Sequence, residues 1–167
     1  MERKVKIGIF LSLSAIAISL AFWGAASAAI SISAIGTWSE TVSDADLAGG
    51  PGSDLVGTYE SAADQVSIDI SGSVDDSDTW RVDLRKADTS WHSDLHLYLK
   101  RTSGGTGSGS ISGGQSYLEA GDTYAELMSG SGDRTGIHMQ LRITGVSVSV
   151  PADAYSTTVY YTVVDTN

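Results

Sequence analysis

Apolar residues recur at every second position along most of this chain. Ile30, Ile32 and Ala34 alternate with serines, and Val66, Ile68 and Ile70 alternate with Ser67 and Asp69. Trp80, Val82 and Leu84 are interleaved with Arg81, Asp83 and Arg85, and Leu95, Leu97 and Leu99 with His96 and Tyr98. The same rhythm returns at Ile137, Met139, Leu141 and Ile143, and again at Val146, Val148 and Val150. Leu55 to Tyr59 is a short apolar piece, and Thr158 to Val164 holds only β-branched and aromatic residues. A period of two sends successive side chains to opposite faces of a strand. Each segment is therefore read as a strand with one buried face, bounded by Gly, Ser, Asp and Pro. Roughly eight to ten short strands of this kind suit an all-β fold, an antiparallel β-sandwich of immunoglobulin-like or jelly-roll type.

Two segments carry no rhythm. Asp44 to Asp54 is rich in Asp and Gly. Ser103 to Ser116 holds six glycines around a lone Ile111 and is read either as a long mobile hairpin or as a weak edge strand.

The first thirty residues break the pattern and set the location. Arg3, Lys4 and Lys6 make a positive start, Ile7 to Trp23 is apolar apart from Gly8 and three serines, and small residues follow from Gly24 to Ala29. Ala26 and Ala28 form the A-x-A arrangement of a signal-peptidase site, so a secretory signal helix over residues 1–28 and cleavage after Ala28 are expected. The 23 uncharged residues from Ile7 to Ala29 are also long enough for a membrane anchor. Against retention, strand-like alternation begins at Ile30 with no linker. The expected mature chain, residues 29–167, is a single domain of 139 residues, secreted or displayed at the cell surface.

Charge narrows the partners. The whole chain carries −10, and loss of residues 1–28 leaves seven basic against nineteen acidic residues, a net charge of −12. That balance argues against nucleic acid and, once the signal is gone, against a membrane surface. There is no cysteine, which rules out disulfides, thiolate metal sites and cysteine nucleophiles.

No catalytic motif stands out. His92, His96 and His138 lack any sequence arrangement that pairs them with a nucleophile, and Trp91-His92-Ser93-Asp94 is too local to build a relay. Asp75, Asp76 and Asp78 offer oxygen ligands for calcium, but they fit a turn equally well and lack the EF-hand order. Trp38, Trp80, Trp91 and several tyrosines are candidates for a sugar-stacking platform, with Trp91 in a polar loop as the best placed and Trp80 at an inward position. No enzyme activity, cofactor or metal is expected.

The tail from Val146 to Val164 has an alternating valine segment, Pro151, Tyr155 and a closing Thr/Val segment. It resembles the final hairpin of secreted fimbrial and spore-coat-U-like β-sandwich surface subunits, although the missing cysteines depart from those families. The resemblance implies a structural subunit of an extracellular filament, pilus or coat, homo-polymeric and assembled by donor-strand insertion. The matching donor segment is Ala29 to Ile35, with Ile30, Ile32 and Ala34 as pocket residues and Gly36 as hinge. The competing reading makes that segment the first strand of its own sandwich. The alternative function is carbohydrate binding or adhesion, with a surface glycan as partner.

Overall fold

The computed structural model of the chain describes residues 5–7 and 29–167. Among these residues are twelve strands: β1 (Val5–Ile7), β2 (Ser31–Ile35), β3 (Glu40–Val42), β4 (Thr58–Glu60), β5 (Val66–Ser71), β6 (Thr79–Ser90), β7 (His96–Arg101), β8 (Ile111–Gly113), β9 (Leu118–Glu119), β10 (Ala125–Ser131), β11 (Arg134–Thr144) and β12 (Ser156–Asp165). Among the described residues the sole helix is one 3₁₀ turn at Asp44–Asp46, closed by a capping box between Ser43 and Asp46. The expected signal helix and its cleavage site lie outside the described residues, apart from Val5–Ile7. Those three pair as a strand with β3, Val5 opposite Val42 and Ile7 opposite Glu40.

Two antiparallel sheets pack face to face, as the alternation predicts. One runs in the order β12-β6-β10-β8 and the other β2-β5-β11-β7-β9, with β4 continuing beside β11 where β5 ends. Inward positions of β5, β6, β7 and β11 supply the core, and Ile68, Trp80, Leu84, Leu97, Leu99, Met139 and Leu141 are fully buried. After β5 every strand lies in the sheet opposite its predecessor. The outgoing strands β5, β6 and β7 pair with the returning β11, β10 and β9, and β8 sits at the turn-back. This doubled winding is that of a jelly roll, whereas an immunoglobulin-like domain pairs several consecutive strands in one sheet.

The tail departs from its sequence reading. Val146–Val150 is not a strand, and no terminal hairpin forms. The chain leaves β11 at Thr144, bends where Val150 N–H donates to Ser147 O at 3.1 Å, and crosses to β12 in the other sheet. Val146 and Val150 are buried and Val148 is exposed, so the period of two read from the sequence breaks at the bend. Tyr155 anchors the arch by donating its hydroxyl to Pro151 O at 2.8 Å.

The glycine-rich segment contains β8, an edge strand on β10, and is fastened throughout. Arg134 donates to the carbonyls of Gly104 and Gly109 at 3.3 and 3.1 Å, and the buried Arg101 donates to Gly113 O at 2.9 Å. Burial and the neighbouring Arg134 lower the Arg101 pKa. Guanidinium donors here replace the side-chain packing that glycine cannot supply.

Trp80 fixes the pairing of β6 with β10. Its indole nitrogen donates to Gly132 O at 2.8 Å, and its ring lies over Gly130, its cross-strand partner. A Cβ on Gly130 would sit 2.6 Å from the ring. Gly130→Ala should therefore destabilise the domain by roughly 1–3 kcal/mol in denaturant titration, the usual cost of overpacking. Gly121→Ala, with no non-adjacent atom nearer than 4.0 Å to its Cβ, should leave the midpoint unchanged.

Candidate functional site

The donor-strand candidate lies at the edge of the larger sheet. In this single chain β2 pairs antiparallel with β5, Ile32 opposite Ile70 and Ala34 opposite Ile68. Ala34 is buried, Ile30 and Ile32 are partly buried against the core, and Ile35 points outward at 73 % exposure. Ser31 holds one end through its hydroxyl contact to Ser71 Oγ at 2.9 Å. Gly36 holds the other end by close approach. A Cβ there would lie 2.4 Å from Gln65 O and 2.8 Å from Val66 Cα, so the residue read as a hinge is where the chain presses on β5.

The three histidines are not brought together. Thr144 is the partner of His96 across β7 and β11, and His138 lies six residues further along β11, about 20 Å away. His96 Nδ1 contacts Glu119 Oε1 at 2.6 Å across β7 and β9. His92 Nδ1 accepts the Asp94 backbone N–H at 3.3 Å, and its ring meets Tyr155 edge-on at 6.0 Å.

The aspartates build a turn. Asp75 accepts from the Ser77 hydroxyl and backbone N–H at 2.6 and 2.8 Å, and those donors hold its carboxyl below the usual range. Asp78 accepts from Val74 N–H at 2.8 Å and also takes the Asn167 amide, while Asp76 takes the Ser108 hydroxyl. Each carboxylate faces its own donor, and among the described residues no group of three His, Asp or Glu side chains has the spacing of a metal site.

The tryptophans turn inward. Trp38 and Trp80 are buried. Trp91, expected to stand exposed, packs partly against the core, donates to Leu95 O at 2.7 Å and lies under the Lys86 ammonium at 5.4 Å.

Tyrosine and arginine occupy the outer faces instead. On the larger sheet Arg142 of β11 lies 5.1 Å from the ring of Tyr98, its cross-strand partner on β7, and 3.8 Å from the ring of Tyr117. Lys100 covers Tyr117 at 4.5 Å, and Glu60 approaches Arg142 at 4.0 Å. On the smaller sheet Arg85 of β6 lies over Tyr160 of β12 at 4.5 Å and Tyr124 at 5.2 Å. Each such cation–aromatic contact contributes about 0.5–1 kcal/mol at a surface. Sequence reading missed these clusters because Tyr117 and Tyr124 lie outside the alternating segments. The signal available was the pairing of outward cations in β6 and β11 with outward tyrosines in β12 and β7.

The chain was compared with protein-family models and with curated proteins, and neither comparison found a match.

Burial gives these tyrosines a measurable property. Desolvation first, then the nearby Asp46 and Glu40, push Tyr59 up to about 12. Desolvation, then the adjoining Glu60, push Tyr117 to about 12. Burial alone raises Tyr161 further still. All three hydroxyls are buried without a hydrogen-bond partner. An unfolded tyrosine loses its proton near 10 while these keep theirs, so the unfolded state binds fewer protons above that pH. Their stabilisation is complete below about pH 10 and is lost as pH rises toward 12. Absorbance at the tyrosinate band should show a late class of phenols ionising together with unfolding. A single ordinary titration in the folded protein would contradict this burial.

Proposed function

We propose that this protein is an exported, non-enzymatic structural subunit of an extracellular filament, pilus or coat. One observation carries the reading. The uncharged alternating segment Ala29–Ile35 follows the small-residue cleavage pattern directly and forms a peripheral strand, β2, which among the strands described is paired in its sheet with β5 alone. After cleavage at Ala28 that strand is the chain terminus. A terminal strand paired on one edge exchanges between copies with the same core restored, because the incoming strand is identical to the one it replaces. β2 of one copy takes the place of β2 on the next, and the head-to-tail contact, which does not close, propagates. Ile30 and Ile32 supply the apolar contacts, each worth about 1.5–3 kcal/mol when fully buried. The same segment serves equally as the first strand of a monomer, and assembly decides between the two.

The alternative, a carbohydrate-binding or adhesive domain, draws support from the half-buried Tyr98–Arg142–Tyr117–Lys100 cluster on the outer face rather than from the tryptophans. Flat rings flanked by cations suit sugar faces with acidic substituents.

Exported protein should begin at Ala29 and form filaments visible by electron microscopy. Ile30→Asp with Ile32→Asp should abolish the filaments while leaving a folded body that accepts a synthetic Ala29–Ile35 peptide. Filaments from the double variant, or its collapse to an unfolded monomer, would show that β2 is an ordinary first strand. Monomers retained on a glycan array, with binding lost in Arg142→Ala, would favour the alternative.

A further inference from the structure

The two sides of the sandwich end differently. On one side the edges are β8 and β9, of three and two residues. Strands that short present few free backbone groups, which is a common protection against edge pairing. On the other side the edges are β2 and β12, which lie against each other across the core. β12 runs for ten residues from Ser156 to Asp165, and among the described residues its only strand partner is β6.

The usual guards are missing from this long edge. From Ser156 to Val164 there is no charge, no proline and no glycine, and the residues are Ser, Thr, Val and Tyr throughout. The one irregularity lies at the start, between Ser156 and Thr157. A long, uncharged, β-branched edge is a template for another strand. In a chain that is otherwise strongly acidic, its freedom from charge is what lets a second acidic copy approach.

We propose that β12 is a homotypic interface, pairing antiparallel with β12 of a second copy so that two four-stranded sheets become one of eight. The partner follows from self-complementarity. The uncharged stretch of nine residues is centred on Tyr160. A two-fold axis at Tyr160 sets Thr158 opposite Thr162, Val159 opposite Tyr161, Thr157 opposite Val163 and Ser156 opposite Val164. Buried positions 157, 159 and 161 then continue the inner face of the joined sheet, and no charged residue meets its like. Such a contact closes on itself, whereas β2 exchange propagates, so together they give paired strands of subunits. The inference rests on the reading of this protein as a self-assembling subunit but uses a different strand.

The absence of native cysteine makes the test direct. Full-length protein carrying Tyr160→Cys is treated with a mild oxidant or a short bis-maleimide and run without reductant. A dimer is expected, because the substituted residue faces its own copy. Thr158→Cys alone and Thr162→Cys alone should stay monomeric, since like positions lie about 14 Å apart across the axis. A mixture of the two should cross-link, and it leaves Tyr160 and its stack on Arg85 intact. No cross-link in either arrangement overturns the proposal. So does a substituted Tyr160 position shielded from a monofunctional maleimide with no dimer formed, the result expected if residues 8–28 of the same chain cover this edge. Filaments without the cross-link would leave strand exchange standing and remove β12 pairing. The cross-link without filaments would do the reverse.

Discussion

Everything in this fold depends on one constraint: two sheets share a single apolar layer, and each strand must give that layer every second side chain. Jelly-roll winding meets the constraint by sending consecutive strands to opposite sheets, so connections cross the sandwich rather than turn within a sheet. Long crossings need fastening. Arg101 and Arg134 grip the glycine-rich segment, Tyr155 ties the final arch to Pro151, and Asp75 and Asp78 hold the turn that leads into β6. Polar residues that looked available for chemistry are largely consumed in holding these crossings.

The same constraint leaves edges. A closed barrel has none, but a sandwich has four, and here they are treated unequally. Short strands and clamped glycines finish the β8 and β9 side. β2 and β12 finish the other side with uncharged alternating sequence, one at the expected mature terminus and the other near the chain's end. That asymmetry links the fold to the proposed assembly, because a subunit built only to remain monomeric has little reason to leave its longest edge unguarded.

Strands with strict alternation, or with an unbroken β-branched and aromatic run, were legible from sequence. β5, β6, β7, β11 and β12 lie where Val66, Trp80, Leu95, Ile137 and Thr158 begin their runs, and the sandwich class follows from them. β10 was hidden because a bulge between Glu126 and Met128 buries Leu127 and Met128 side by side, which erases the period. β8 and β9 are too short to show one. Val146 to Val150 misled in the opposite direction, since its valines alternate in sequence while the chain turns between Ser147 and Val150 and leaves Val148 outside the core. For the site, the position of Ile30, Ile32 and Ala34 was readable, yet the grip of Gly36 on Val66 was not, because it joins segments thirty residues apart. The Arg142 cluster was equally hidden, for it needs the β7–β11 register.

Hydrogen–deuterium exchange, compared between assembled and dispersed protein, tests the central claim that the β2 and β12 side carries assembly. The account predicts slowed exchange on assembly at the amides of β2 and β12, with β8 and β9 unchanged. Protection at β8 and β9, or assembly that leaves β2 and β12 exchanging as in the dispersed protein, would contradict it.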